Sequence, residues 1–302
     1  MESEALMNLE IRNLKKTFNN EKIIALNNLN LDIPIGKSFG ILGRNGAGKT
    51  TIIRILLQIY KKDSGEILYN GSDIFKQNIR IGYLPEERGL YLKNTVREQL
   101  MYFGKLKGLD KKSCQKNIKR WLNRLGISDY IDRIVEDLSK GNKQKVQLIS
   151  SVLHNPDILI LDEPFSGLDP VNIELFKEVF KELLDKNITI IFSSHRIDDV
   201  EEFCDNVVLL NKGEVVDYGK VEDIRNKFGK KILNIEVDKN IDEILEDLYL
   251  DFDKVKNVYN IIIDNEYIIG NLIKCLLDKD IVIKSINVNQ ISLNKIFIEK
   301  LA

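Results

Sequence analysis

The sequence has no long apolar segment. A membrane-spanning helix needs about 20 mostly apolar residues, whereas the longest uninterrupted apolar runs, such as Ile158–Leu161 and Val207–Leu210, contain four. The N-terminal residues Met1–Glu4 also lack the basic and apolar regions of a signal peptide. We therefore expect a soluble protein that stays in the compartment where it is made.

Cysteine is scarce, and neither sign of charge dominates. The three cysteines, Cys114, Cys204 and Cys275, are widely separated and odd in number. This pattern does not fit a disulfide framework or the cysteine spacing of a metal site, and it fits a reducing compartment. The formal net charge of −1 provides no global basic field, which argues weakly against a nucleic-acid partner.

What the sequence does contain is an alternation of strands and helices. The 302 residues are 43% hydrophobic, enough for one large core and a small second domain. Several strand-like runs are apolar on consecutive residues, which is typical of a parallel sheet buried on both faces. Helical patterns such as Val171–Leu184 lie between them, so the pattern predicts a three-layer α/β domain. The strand-like runs are Ser38–Leu42, Ile81–Leu84, Asp157–Leu161, Ile188–Phe192 and Asn206–Leu210.

Two parts of the chain differ from this alternation. From about residue 94 to 153 the sequence predicts helix after helix, beginning with a capping box of Thr95 and Glu98. After the join Gly229–Lys231, a second pattern predicts a separate small α+β domain. Its segments are a strand at Ile232–Val237, a helix at Ile241–Leu250, a strand at Val258–Ile263, a helix at Gly270–Leu277, a strand at Ile281–Val288 and a helix near Leu293.

The segment Gly43–Thr50 matches the P-loop pattern, between the strand Ser38–Leu42 and a helix predicted over Thr51–Leu57. Glycines let the backbone curl so that N–H groups point at phosphate oxygens, and the helix N-terminus adds positive potential. In this pattern Lys49 bridges the β- and γ-phosphates and the Thr50 hydroxyl ligates Mg²⁺. The alternative is a glycine-rich turn with a nearby lysine, and the strand–loop–helix context argues against it.

Two carboxylates follow the apolar strand Ile158–Leu161, at the end where ligands bind in α/β sheets. Asp162 stands where a Walker-B aspartate holds Mg²⁺ through water. Glu163 stands where a carboxylate orients the attacking water or accepts its proton. The alternative for Glu163 is a solvated loop acid, and the pairing with a P-loop argues against it.

With these motifs the sequence resembles the nucleotide-binding subunit of the ABC superfamily, across roughly residues 7–228. Leu138–Asn142 resembles the LSGGQ signature, with Lys140 in place of the first glycine and an asparagine in place of the glutamine. The resemblance implies that Ser139 and Gly141 face the γ-phosphate bound by a second protomer. Ser139 also suits a helix N-cap, and the two roles are compatible because a capped helix N-terminus is an anion site. Lys140 either adds charge near that phosphate or is a surface lysine.

The same resemblance implies roles for further residues. Phe18 stands where an aromatic ring stacks on adenine, and His195 resembles the switch histidine that touches the γ-phosphate. Glu86 replaces a common glutamine that helps to ligate Mg²⁺, and a carboxylate can supply the same oxygen. Ser166–Asp169 resembles the D-loop of the dimer interface, and Asp169 equally suits a helix N-cap. The implied nucleotide-binding residues are Phe18, Gly43, Arg44, Asn45, Gly46, Ala47, Gly48, Lys49, Thr50, Thr51, Ser139 and Gly141; the metal ligands are Thr50, Glu86 and Asp162; the catalytic residues are Glu163, His195 and Lys49.

The implied fold is the P-loop NTPase fold of ABC ATPases: a parallel-sheet core with an antiparallel β subdomain and an inserted helical subdomain over residues 7–230. An accessory α+β domain over residues 231–302 follows. The implied function is an ATP- and Mg²⁺-dependent transport ATPase, acting as a homodimer or paralogue heterodimer on a separate integral-membrane permease at the inner face of the cell membrane. The run Glu86–Tyr91 and the segment Ile291–Phe297 resemble an export subgroup that includes sodium-extrusion and drug-export ATPases.

Two other function classes fit less well. Soluble ABC ATPases that act on ribosomes or DNA usually have two cassettes per chain, long coiled coils or zinc inserts; this sequence has one cassette, no sustained heptads and no Cys-x-x-Cys. A P-loop kinase or GTPase needs no signature segment. We therefore expect a transport ATPase and no nucleic-acid partner.

The first predicted helix of the insert carries a candidate docking surface. Leu100–Phe103 cannot all face inward, because consecutive helical residues are rotated by about 100°. We expect part of this apolar set to be exposed and to bind the permease. The alternative is that the helices of the insert cover all four side chains.

Overall fold

The computed structural model describes residues 8–87 and 89–301, and the chain forms two compact units that divide between Gly219 and Lys220. The first unit contains β1 (Asn8–Phe18), β2 (Ile23–Pro34), β3 (Ser38–Gly43), α1 (Lys49–Leu56), β4 (Ser64–Tyr69), β5 (Ser72–Asp73), β6 (Ile81–Leu84), α2 (Val96–Leu106), α3 (Lys111–Arg124), α4 (Lys140–Val152), β7 (Ile158–Asp162), α5 (Pro170–Leu184), β8 (Thr189–Ser194), α6 (Ile197–Phe203) and β9 (Asn206–Asn211), and β10 (Glu214–Lys220) ends at the boundary. The second unit contains α7 (Val221–Phe228), β11 (Lys231–Val237), α8 (Asp242–Asp247), β12 (Phe252–Val255), β13 (Val258–Ile263), α9 (Tyr267–Asp278), β14 (Ile283–Gln290) and α10 (Leu293–Leu301). Within the described residues, no helix has the length and apolar character needed to cross a membrane.

The central sheet of the first unit has the order β10-β9-β3-β8-β7-β6. The four ladders from β9 to β6 are parallel, which confirms the predicted parallel core. Every residue of β3, β7 and β8 is buried, and this explains why their sequences are apolar on consecutive positions. Because parallel strands end at the same edge, the segments that follow β3, β7 and β8 are brought together there.

A second, antiparallel sheet has the order β2-β1-β4-β5. Its buried residues, including Leu9 and Ile11 of β1, share one core with Ile52 and Ile53 of α1. This is the antiparallel subdomain that the resemblance implied. Phe18 is the last residue of β1, so the sheet places it near the start of α1.

Helices α2, α3 and α4 form the predicted insert between β6 and β7. The capping box begins α2: the Glu98 carboxylate accepts a hydrogen bond from the Thr95 backbone N–H at 2.8 Å, and the Thr95 hydroxyl accepts one from the Glu98 N–H at 3.2 Å. Trp121 of α3 lies in the interior of the insert with 2% of its surface exposed. A Cβ on Gly82 of β6 would lie 2.2 Å from the carbonyl oxygen of Ser151, so a glycine is needed where the last turn of α4 meets the sheet.

The second unit is a four-stranded antiparallel sheet, in the order β12-β13-β11-β14, with α8 and α9 contributing to its core. It differs from the sequence prediction in two places. The short strand β12 was not predicted, and α7 lies in this unit, where it contacts α10, rather than in the preceding domain. Gly229 is the left-handed C-cap of α7 at φ +72°, so the Gly229–Lys231 segment ends a helix and does not separate two domains.

Candidate functional site

The P-loop connects β3 to α1 in a conformation that requires glycine. Gly46 and Gly48 have φ values of +83° and +109°, which side-chain-bearing residues rarely adopt. A Cβ on Gly48 would also lie 2.8 Å from the carbonyl oxygen of Ala25. Since α1 begins at Lys49, its first N–H groups have no helical acceptor and are open to an anionic ligand.

An open cleft of about 400 Å³ lies over this loop. It contains most of the nucleotide-binding residues that the sequence predicts; the lining residues are Phe18, Ile23, Ile24, Ala25, Arg44, Asn45, Gly46, Ala47, Gly48, Lys49, Thr50 and Thr51. Gly43 is fully buried and does not line it. The apolar side chains Ile23 and Ile24 were not predicted; both are about half exposed, at 51% and 53%, beside the Phe18 ring. The cleft therefore has a polar floor and an apolar side.

The ammonium of Lys49 is held by the P-loop itself. Its Nζ atom donates to the carbonyl oxygens of Gly43 at 2.6 Å and Arg44 at 3.4 Å. Burial lowers the pKa of Lys49, while the carboxylates of Glu163 and Asp162, and more weakly Glu86, act to raise it. These residues are therefore close enough to form one electrostatic cluster.

Asp162 ends β7 and accepts two hydrogen bonds that no sequence motif predicts. Its Oδ1 atom accepts from the Ser193 hydroxyl at 2.7 Å, and its Oδ2 atom accepts from the Tyr83 hydroxyl at 3.4 Å. Burial raises the pKa of Asp162, and burial followed by the charge of Asp162 raises the pKa of Tyr83 to about 12. Tyr83 and Ser193 lie near the C-terminal ends of β6 and β8, the strands on either side of β7. In the sequence, only this position near a strand end indicates that they are close to Asp162.

Glu163 has a left-handed backbone with φ +50°, which is uncommon for a residue other than glycine and costs about 1 kcal/mol or more. Its Oε1 atom accepts from both the backbone N–H and the ring Nδ1–H of His195, each at 2.7 Å. Its Oε2 atom accepts from the Ser194 hydroxyl at 3.0 Å. The structure thus joins two of the predicted catalytic residues directly, with Glu163 buried and 59% of the His195 side chain exposed.

The oxygen donors that the sequence predicts for Mg²⁺ are present around this cluster. Thr50 is exposed at the start of α1, and Glu86 follows β6 within electrostatic range of Lys49 and Tyr83. Burial of the Asp162 carboxylate favours its neutral form, and a bound cation would favour its charged form. Hydroxyl and carboxylate oxygens suit Mg²⁺, which takes its remaining ligands from phosphates and water. The described residues contain no group of three or more His, Cys, Asp or Glu side chains that could hold a metal without such help.

The signature segment lies apart from this cleft. Ser139 is the N-cap of α4, and its hydroxyl accepts a hydrogen bond from the Asn142 N–H at 3.3 Å. Neither Ser139 nor Gly141 lines the cleft over the P-loop. The N-terminus of α4 thus lies outside this cleft, capped by Ser139 and with the Asn172 side chain close to Gly141.

The signature segment instead adjoins the predicted D-loop. A Cβ on Gly167, which has φ +69°, would lie 1.7 Å from the Lys140 Nζ atom, so the Lys140 side chain lies against the glycine backbone. Asp169 is the N-cap of α5 and accepts from the Asn172 N–H at 3.0 Å. The structure thus places Lys140 on the D-loop of its own chain.

Known proteins share both units of the chain. A family model described as "ABC transporter" matches residues 26–166, and one described as "ATP-binding protein DrrA1-3-like, C-terminal domain" matches residues 219–301. The ABC transporter ATP-binding protein YhaQ of Bacillus subtilis (strain 168) is 44% identical over 294 residues, which are 97% of this chain and 98% of that protein.

Two further similarities extend this finding. The bacitracin transport ATP-binding protein BcrA of Bacillus licheniformis is 31% identical over 304 residues, with 96% of each chain covered. A solved structure described as an ATP-binding subunit of an ABC transporter superposes with a TM-score of 0.67 at 29% identity and covers 74% of this chain and 93% of that one.

Proposed function

The chain belongs to the ABC transporter family as an ATP-binding subunit, and we propose that it hydrolyses ATP with Mg²⁺, as a dimer, to drive export through a separate membrane permease. The observation that carries the hydrolytic part is the cluster of Lys49, Asp162 and Glu163. A cationic phosphate-binding residue and two carboxylates with different hydrogen-bond partners meet at the C-terminal edge of one parallel sheet. Such an edge is where α/β sheets bind their ligands.

In this proposal each polar group has a distinct task. The P-loop N–H groups and Lys49 bind the phosphates, and Thr50, Glu86 and Asp162 hold Mg²⁺. When bound, Mg²⁺ neutralises charge on the phosphate oxygens and helps to fix their geometry. Glu163 orients the attacking water and accepts its proton, since its carboxylate is already fixed in position by hydrogen bonds.

The half-buried ring of Phe18 and the exposed ring of His195 complete the nucleotide site in this proposal. Phe18 lies at the rim of the cleft, in edge contact with Tyr60 at a centroid distance of 5.4 Å. We assign to Phe18 the stacking contact with adenine, because a planar apolar ring at the rim offers a face to the base. We assign to the exposed imidazole of His195 the contact with the γ-phosphate.

The dimer follows from the position of the signature segment. The N-terminus of α4, with Ser139 and Gly141, does not reach the cleft of its own chain. We therefore propose that it binds the γ-phosphate held by a second subunit, so that two chains enclose two nucleotides. A helix N-terminus with a serine cap provides both hydrogen bonds and positive potential for that contact.

The transport part rests on family membership. Relatives that span almost the whole chain are named as transporter ATP-binding proteins, which favours transport over the ribosome- or DNA-linked alternative. We propose a peripheral position at the inner face of the cell membrane, on the permease. The Glu86–Tyr91 run, with its resemblance to exporters, supports export as the direction.

Phosphate release by the purified chain tests the proposed function. We expect ATP hydrolysis with Mg²⁺, none with excess chelator, and loss of ATP binding in Lys49→Ala, because in this proposal the Lys49 ammonium binds the phosphates. A permease co-expressed with the tagged chain should co-purify with it. A folded chain that binds no ATP, or whose hydrolysis survives Lys49→Ala, would contradict the nucleotide assignment.

A further inference from the structure

A buried glutamine of α4 holds the loop that carries Glu86. Gln147 is only 4% exposed, and its Nε2 atom donates to two carbonyl oxygens, those of Pro85 and Glu87, each at 3.1 Å. These carbonyls belong to the residues immediately before and after Glu86. Both hydrogens of one amide group are thus used to fix the backbone on either side of a single residue.

The same helix also reaches the segment after Glu163. The Nε2 atom of Gln144 donates to the carbonyl oxygen of Pro164 at 2.7 Å. Residues three apart lie on one face of a helix. Gln144 and Gln147 therefore project from the same face of α4, Gln144 toward Pro164 after β7 and Gln147 toward the segment after β6 that carries Glu86. The N-terminus of this helix is the signature segment that begins at Ser139.

We propose that Gln147 is a positioning residue that sets the location of Glu86 in the Mg²⁺ site and ties it to the signature helix. The inference rests on the proposed function, because it takes Glu86 as a metal ligand. Glu86 itself has an exposed side chain on an irregular segment, so its own packing does little to fix it. The two carbonyls held by Gln147 restrain that segment where the Glu86 side chain originates.

The loss of this restraint has a local consequence. In Gln147→Met the shape of the side chain is retained, but the carbonyls of Pro85 and Glu87 lose their donor. We expect hydrogen exchange of the backbone amides of residues 86, 87 and 89–92 of the nucleotide-free protein to become faster, while exchange in the central sheet stays unchanged. We also expect the Mg²⁺ concentration for half-maximal ATP hydrolysis to rise about 3- to 10-fold, the scale of one or two hydrogen bonds.

Two comparisons separate a positioning role from a general effect on the insert. Gln99 of α2 is also fully buried and accepts a hydrogen bond from the N–H of Tyr91, farther along the same loop; Gln99→Met should leave the Mg²⁺ requirement unchanged. In a Glu86→Ala background, Gln147→Met should raise the Mg²⁺ concentration for half-maximal hydrolysis by no more than about twofold. The effects of two residues that act through the same side chain are not additive. Gln147→Asn keeps the donors on a shorter stem and should give a smaller shift in the same direction.

The outcomes are distinct. Unchanged exchange in residues 86, 87 and 89–92 of a folded Gln147→Met protein overturns the inference, and so does a shift in Mg²⁺ requirement that is equally large in the Glu86→Ala background. An equal effect of Gln99→Met also overturns it. If the wild-type protein hydrolyses ATP without Mg²⁺, the proposed metal site fails instead, and this is visible before any variant is made.

Discussion

The backbone N–H and the ring Nδ1–H of His195 both donate to the same oxygen of Glu163, each at 2.7 Å. With the Ser194 hydroxyl on the other oxygen, the carboxylate is fixed on both sides. A general base must lie within hydrogen-bonding distance of the water whose proton it accepts. A carboxylate that is held in one orientation meets this requirement better than a mobile one.

Glu163→Gln should abolish turnover and preserve ATP binding. The amide keeps the shape and one acceptor oxygen for His195, but it removes the carboxylate that accepts the proton from water. We expect a loss of about 10²–10⁴-fold in hydrolysis rate, measured as phosphate release, with ATP affinity close to wild type. Glu246→Gln, on the exposed face of α8, serves as the control. Hydrolysis by Glu163→Gln at the wild-type rate would refute the assignment of the base.

Glu86→Gln should retain activity, whereas Glu86→Ala should raise the Mg²⁺ requirement. An amide or a carboxylate oxygen completes the shell of the metal and a methyl group does not. We expect an increase of about tenfold in the Mg²⁺ concentration for half-maximal hydrolysis, the scale of one lost interaction with a charged group. Glu87→Ala, next to it and also exposed, should behave as wild type. If Glu86→Ala leaves the Mg²⁺ dependence unaltered, the residue is not near the metal.

Tyr102→Glu should spare ATP hydrolysis by the free subunit and prevent co-purification with the permease. The prediction that part of Leu100–Phe103 is exposed is confirmed: Leu100 is fully buried, whereas 45% of Tyr102 is exposed, next to Tyr91 at 5.7 Å between ring centroids. A carboxylate there would be desolvated in an apolar interface. Tyr249→Glu, at a position 95% exposed in the second unit, is the matched control. Normal permease binding by a folded Tyr102→Glu protein would exclude this surface.

His154 should make the folded state sensitive to acid. Burial, followed by the charge of Lys107, lowers the pKa of His154 from 6.5 to about 4. Because the unfolded state then binds more protons between these values, the free energy of unfolding falls as the pH falls from 6.5 toward 4. Between pH 6.5 and pH 4 the free energy of unfolding should fall by about 1–3 kcal/mol less in His154→Gln than in wild type. Urea unfolding at several pH values measures this difference. Parallel pH curves for the two proteins would contradict this.

Sequence patterns predicted the structure correctly at positions where the backbone conformation or its burial restricts which residues are tolerated. Gly46 and Gly48 adopt conformations that glycine favours, and the consecutive apolar residues of β7 reflect burial on both faces. These constraints are local, so the P-loop and the parallel core could be predicted, and the fold of the relatives agrees with them.

The contacts that tune the site could not be predicted in the same way. Tyr83 donates a hydrogen bond to Asp162, and Gln147 donates one to the carbonyl of Pro85, although the residues of each pair are far apart in sequence. No local sequence pattern predicts such long-range contacts. The boundary near Gly229 illustrates a different difficulty. A glycine followed by lysines is typical of a linker and of a helix C-cap alike, and only the packing of α7 distinguishes them.

Trp121, buried in α3 with the Arg120 guanidinium 5.2 Å from its ring, is the single tryptophan of the sequence. The chain therefore contains one indole fluorophore, and it is confined to the helical insert. Excitation beyond the absorption of tyrosine would select its emission, which depends on the polarity around the ring. Stopped-flow mixing of the unlabelled protein with ATP would then time the response of the insert without any attached dye.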